Sequence, residues 1–166
     1  MLFRSAGPDR AAAPALEGAL AVAATGRNVV VALCTGRARP SDAATATAWD
    51  RLETSASVRR FRIPSIREAA HFRAGLDAVA AIVDALGGVH PGGSLPEPIE
   101  AGLDLVRRAR RAGVPCIAVD APVGFDPESG RRRRGLPGAD ITLTFHRPLV
   151  GHRARSEEHT SELQSH

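Results

Sequence analysis

The 166-residue chain predicts an α/β domain, a mostly parallel sheet with helices on both faces, on three observations. Short runs rich in Val, Ile and Ala alternate with longer segments of helical periodicity. The short runs are apolar throughout rather than at every second residue, and Gly or Pro stands at most junctions. Continuous apolar runs mark strands covered on both faces, the habit of parallel sheets, and the alternation of segment types places helices in the crossovers.

Residues 14–25 (PALEGALAVAAT) open on Pro, which a first helical turn tolerates, continue with good helix formers and stop at Gly26. Residues 28–35 (NVVVALCT) are a β-branched run ending at Gly36, a strand buried on both sides. Ser41 and Asp42 can cap a helix reaching about Ser55, residues 58–63 suit a short edge strand, and Ser65 can cap a helix to Ala74. Residues 78–86 form a second buried strand, followed by a loop over 87–96 with four Gly and two Pro. Residues 98–112 give the clearest helix, with Ile99, Leu103, Val106 and Ala109 on one face and Gly113 as its stop. A third buried strand spans 114–122, a second loop 123–139, and ITLTF at 141–145 closes the sheet.

With 43% hydrophobic and 24% charged residues, the chain has enough apolar material for one domain with a buried core. Its apolar runs are interrupted well before the roughly 18 residues that a membrane span needs. All 22 basic residues are Arg and none is Lys, so the net charge of +4 reflects compositional bias more than an acidic partner. Arg107, Arg108, Arg110 and Arg111 fall in the last turns of a helix, where cations suit the macrodipole. With the run Arg131 to Arg134 they form the sole candidate for nucleic-acid contact, and the bland reading of a solvated face is preferred. Cys34 and Cys116 have no partners at metal-ligand spacing and read as reduced core residues of a cytoplasmic protein.

Both ends differ in composition from the middle. The last twelve residues, 155–166, hold the only Gln and two of the six His, and resemble a translated sequencing adapter; residues 1–5 resemble its counterpart. They are expected to be scars outside the fold, the tail disordered, leaving 6–154 as the domain, truncated on its N-terminal side.

In open α/β sheets ligands bind beyond the carboxyl ends of the strands. Two buried strands carry an acid there, Asp84 and Asp120, each followed by a Gly-rich loop. As parallel neighbours they would face one crevice. A single such acid could equally cap a loop; two together favour a site. The loop after Asp84 also leads into a helix whose positive end suits phosphate.

Three stretches carry a resemblance: Asp84-Ala-Leu-Gly-Gly88 with GGSLPEP at 92–98, IAVDAPVGFD at 117–126 with Ser129-Gly130, and ADITLTF at 139–145. They resemble the YjeF N-terminal domain family, whose patterns run roughly VDAxxGxGxxGxxREP, xxxDIPSGxDxxTG and ADxTxTF. The resemblance covers nearly all of 6–148. It implies a three-layer α/β/α Rossmann-like sandwich and NAD(P)H-hydrate epimerase activity, the interconversion of the R and S forms of NADHX and NADPHX. It further implies Asp120 as the catalytic and ligand-contacting group, since inversion at a hydroxylated ring carbon needs a group that gives and takes a proton. Gly88, Val89, His90, Pro91, Gly92, Gly93 and Ser94 correspond to the family's ligand-binding loop, and Asp84 to its potassium-ligand aspartate.

The chain departs from the family at its first Gly-rich motif, GPGNNGGDG, which falls on residues 7–15 (GPDRAAAPA). Ala11 and Pro14 stand where that motif has an Asn potassium ligand and an Asp. Val123 replaces the Ser of DIPSG, a further potassium ligand, and Leu149 replaces the Lys of a closing PKPG. Only Asp84 is left of three ion ligands, and the implied activity is expected to be impaired. Arg10 can supply a phosphate contact where the motif's glycines are lost. Two readings stay open: a divergent epimerase, and an inactive homologue kept for ligand binding or for protein interaction, including a homodimer, as similar domains serve in mRNA-decapping scaffolds.

Overall fold

The computed structural model describes residues 2–6, 12–72, 74–87, 94–126, 129, 131 and 134–144. Six parallel strands make one sheet: β1 (Leu2–Ala6), β2 (Val29–Leu33), β3 (Val58–Arg62), β4 (Ala81–Ala85), β5 (Cys116–Val119) and β6 (Ile141–Leu143). Their spatial order is β3-β2-β1-β4-β5-β6. Among the described residues four α-helices accompany them: α1 (Ala12–Ala24), α2 (Ala43–Arg51), the single-turn α3 (Ile66–Ala69) and α4 (Glu97–Arg111).

The apolar pattern of β2 explains the layers. All five of its residues are buried, and its alternate side chains enter two different cores. Val29, Val31 and Leu33 meet Leu16 and Ala19 of α1 and Trp49 of α2, whereas Val30 and Ala32 belong to the core built on Leu103, Leu105 and Val106 of α4. Helices α1 and α2 therefore cover one face and α3 and α4 the other. The small residues of α1 also reach the far half of the sheet, where Ala15 packs with Val83, Ala85 and Val119. The expected three-layer Rossmann-like sandwich is the observed one.

Residues 1–5, expected outside the fold, require a correction. Leu2–Ala6 is β1, the strand between the two halves, paired with β2 from Leu2↔Val29 to Ala6↔Leu33 and with β4 from Leu2↔Ala81 to Ala6↔Ala85. Without it both β2 and β4 would carry an unpaired backbone edge in the middle of a buried sheet, and unpaired buried N–H and C=O groups are costly. The tail 155–166 lies outside the described residues.

The helix expected from Ser65 to Ala74 is also shorter than its sequence suggests. After α3 the chain tightens into a 3-10 turn, Ala70–Phe72. Among the residues of α3 only Ala69 is buried and Ile66 is 49% exposed, so no apolar stripe holds a longer helix against the sheet. A further 3-10 turn, Leu76–Ala78, takes the start of the expected 78–86 strand.

Charge guards the β3 edge. Arg60 lies 5.1 Å from the Trp49 ring centre, donates to the Trp49 carbonyl at 3.1 Å and pairs with Glu53 at 2.5 Å. Arginines on an edge strand discourage pairing with another sheet. Among the described residues no helix is long and apolar enough to cross a membrane.

Candidate functional site at the strand carboxyl ends

The sheet order reverses direction between β1 and β4: the first half of the chain builds outward from β1 to β3, the second from β4 to β6. A crevice opens at such a switch point beyond the carboxyl ends of the strands. Asp84 is on β4 in register with Ser5 of β1 and Ala118 of β5. Asp120 follows β5 directly. The topology thus brings the two sequence-predicted acids to one end of adjacent strands.

Their environments differ. Asp84 is 2% exposed. Its Oδ1 accepts the Leu86 amide at 3.1 Å and its Oδ2 accepts the Val123 amide at 3.5 Å. Desolvation dominates these two bonds and pushes the carboxyl up to about 6 from its ordinary 3.8. Asp120 is half-buried. Its φ of 62° makes it the only non-glycine with positive φ among the described residues. Its amide donates to the Leu143 carbonyl at 2.8 Å, so the left-handed turn bends the chain away from β5 while keeping it bonded to β6. A residue held in this region costs about 1 kcal/mol or more, and Asp is among the few types that accept it. Such strain concentrates at functional sites.

Residues 121–125, which follow Asp120, are all buried, and the Phe125 amide closes a turn onto the Pro122 carbonyl at 3.1 Å. Where the family pattern has Ser, Val123 is 1% exposed and offers the site only its backbone.

Potassium can be tested against this donor set. Cations of this hard kind are caged by several oxygens. Both Asp84 oxygens face amide donors, the neighbouring side chain is Val123, and no group of three or more His, Cys, Asp or Glu gathers among the described residues. Among the described residues, the family positions for potassium offer it one side-chain donor group, the Asp84 carboxyl, because Val123 carries no oxygen on its side chain. Ala11, at the third family position, lies outside the described residues, as do Arg10, Gly88, Val89, His90, Pro91, Gly92, Gly93 and Leu149. Of the ligand-binding loop the structure describes Ser94, which is exposed just before α4.

The sequence expects the N-terminus of α4 to suit phosphate. Glu97 and Glu100 occupy its first turn and already complement the helix dipole. The first turn of α1, which opens on the switch point, contains no acid. Sequence reasoning missed this contrast although the two glutamates were in view.

Three of the four arginines in the α4 cluster are engaged locally. Arg107 pairs with Glu100 at 3.5 Å, Arg108 with Asp104 at 2.6 Å and Arg110 with Asp140 at 2.6 Å. Cys34 and Cys116 are buried free thiols, and burial pushes Cys116 up to about 12. His71 is exposed on the 3-10 turn after α3. A separate cavity of about 440 Å³, with Asn28, Ser57, Arg59, Phe61 and Phe72 in its lining, lies by the amino ends of β2 and β3, away from the carboxyl strand ends that carry the acids.

Comparison with known proteins now adds to this geometry. The sequence profile of the family described as "YjeF-related protein N-terminus" matches residues 5–151. The chain belongs to the YjeF N-terminal family. Among curated relatives of this YjeF N-terminal domain, a bifunctional NAD(P)H-hydrate repair enzyme of Methanopyrus kandleri is 36% identical over 70 residues, 42% of this chain and 14% of that protein. The NAD(P)H-hydrate epimerase of Weissella koreensis is 39% identical over 70 residues, 42% of this chain and 30% of its own. That of Aspergillus fumigatus is 30% identical over 107 residues, 61% of this chain and 41% of its own. The chain thus spans less than half the length of each of these relatives. The crystal structure of the yeast protein YNL200c superposes with a TM-score of 0.75 at 19% identity, covering 92% of this chain and 60% of the yeast chain. At that identity the likeness speaks for the fold.

Proposed function

We propose that this YjeF N-terminal domain acts on hydrated nicotinamide dinucleotides, as an NAD(P)H-hydrate epimerase of reduced activity working in the cytoplasm. The observation that carries the reading is the pair of acids at the switch point, one sealed and one at the mouth. Asp84, held by two backbone amides, anchors the loop after β5. Asp120, half-buried and fixed in a left-handed turn, is the group able to protonate the hydroxyl as its C–O bond breaks with help from the ring nitrogen, and to take a proton from the water that re-adds on the other face. The acid-free start of α1 favours the dinucleotide diphosphate, with Arg10 as a further contact. Relatives named for NAD(P)H-hydrate repair support the substrate class.

No step is routed through potassium. Fewer glycines in the first motif and the loss of a hydroxyl at Val123 give the reading its reduced turnover, because each removes a close backbone approach or a donor from the crevice. The same losses favour the second reading, a homologue that binds its ligand or a protein partner without turnover. Following interconversion of the R and S forms of NADHX by chiral chromatography separates the two. Catalysis above the spontaneous rate that disappears in Asp120→Asn supports the epimerase; a wild-type rate equal to the spontaneous one leaves the binding reading.

A further inference from the structure

The segment after β2 bears on which dinucleotide the crevice takes. When a dinucleotide lies across a switch point of this sheet order, the adenosine ribose reaches the carboxyl end of β2; an acid there recognises a free 2′-hydroxyl, and an arginine accommodates a 2′-phosphate. Residues 34–41, Cys-Thr-Gly-Arg-Ala-Arg-Pro-Ser, contain no acid. The first carboxylate beyond β2, Asp42, is committed to α2: its Oδ2 accepts the Thr45 amide at 2.9 Å and the Thr45 hydroxyl at 3.0 Å.

Two arginines stand in that segment and they are not equivalent. Arg39 is held by Asp50 at 2.5 Å. Arg37 is exposed, and no ion pair engages it among the described residues. Its backbone is nevertheless fixed, because its amide donates to the hydroxyl of the buried Thr35 at 3.2 Å. The preceding Gly36 is uncrowded too, since a Cβ there would meet nothing within 4 Å. An exposed guanidinium on a fixed backbone, with no carboxylate paired to it among the described residues, is suited to a phosphate monoester.

We infer that Arg37 forms a 2′-phosphate subsite, so that this domain selects the phosphorylated dinucleotide, NADPHX, over NADHX. The inference rests on the dinucleotide reading above. Titration of the purified chain with NADP+, NAD+, adenosine 2′,5′-bisphosphate and 5′-AMP tests both. Wild type is expected to bind each 2′-phosphorylated compound about tenfold more tightly than its partner, as a charge-assisted phosphate contact would give. Arg37→Ala should bring each ratio to near unity without weakening NAD+, and Arg39→Ala should preserve the ratios. Equal binding of NADP+ and NAD+ by wild type, or a ratio that survives Arg37→Ala, overturns this inference and leaves the dinucleotide reading standing. Binding of neither dinucleotide overturns both.

Discussion

The Asp84 carboxylate accepts the Val123 amide at 3.5 Å across the boundary between β4 and the loop that follows β5. One buried side chain thereby sets the position of the loop that starts at Asp120. Because Asp84 is buried, the bond is made by a group that resists ionisation, pushed up to about 6 from 3.8 by desolvation.

That displacement has a definite sign in pH. Between 3.8 and about 6 the folded chain keeps a proton on Asp84 that the unfolded chain has released, so the contribution to stability is full below this window and is lost as pH rises through it. Its size is roughly 3 kcal/mol. Asp84→Asn, neutral at every pH, should remove this component. The difference in urea-unfolding free energy between wild type and Asp84→Asn is expected to turn against wild type from pH 4 to pH 7. A pH-independent difference would contradict the assignment.

Potassium should be dispensable. With both Asp84 oxygens directed at amides and Val123 in place of a hydroxyl, exchanging KCl for choline chloride at constant ionic strength is expected to leave both the melting temperature and any NADHX interconversion unchanged. A rise in either that saturates with potassium and is not reproduced by sodium would show a cage that these donors do not provide.

Much of this arrangement was legible in the residues. The uninterrupted apolar runs of β2, β4 and β5 announced a sheet covered on both sides, and the acids closing two of those runs located the crevice. β1 was hidden because Arg4 and Ser5 interrupt its apolar character, while strand pairing is made by backbone groups that carry no signature. The same blindness applies within the site. The amides of Leu86 and Val123 and the carbonyl of Leu143 hold the two acids in place, and side-chain identity is silent about all three. The short α3 shows the converse: Ser65 and the residues after it have helical propensity, but propensity without a buried face does not sustain a helix.

Asp140 offers a test of how the sheet is closed. Its Oδ2 accepts the Cys116 amide at 2.7 Å and Arg110 at 2.6 Å, while its own amide donates to the Cys116 carbonyl at 2.8 Å. The Arg110 guanidinium holds its carboxyl below the usual range. Asp140→Ala leaves the Cys116 amide without that acceptor, a loss of about 1–3 kcal/mol. Asp140→Asn retains a carbonyl acceptor and should recover part of the loss. Chemical denaturation of the two variants checks the order, and equal stability of Asp140→Ala and wild type would show that this strap contributes nothing.

Asp120 separates stability from activity. Its φ of 62° is a conformation that glycine adopts freely. Asp120→Gly should therefore relieve strain and leave the fold as stable as wild type or more stable by up to about 1 kcal/mol, whereas Asp120→Asn keeps the shape and hydrogen-bonding outline without a titratable carboxyl. If Asp120 moves the proton in epimerisation, both variants fall to the spontaneous rate although neither loses stability. A purely structural Asp120 predicts the reverse pattern, turnover preserved in Asp120→Asn and melting temperature altered. Parallel thermal melts and NADHX interconversion assays on the two variants distinguish these outcomes, because a carboxylate selected for chemistry is one whose replacement by the residue best suited to the backbone still abolishes the reaction.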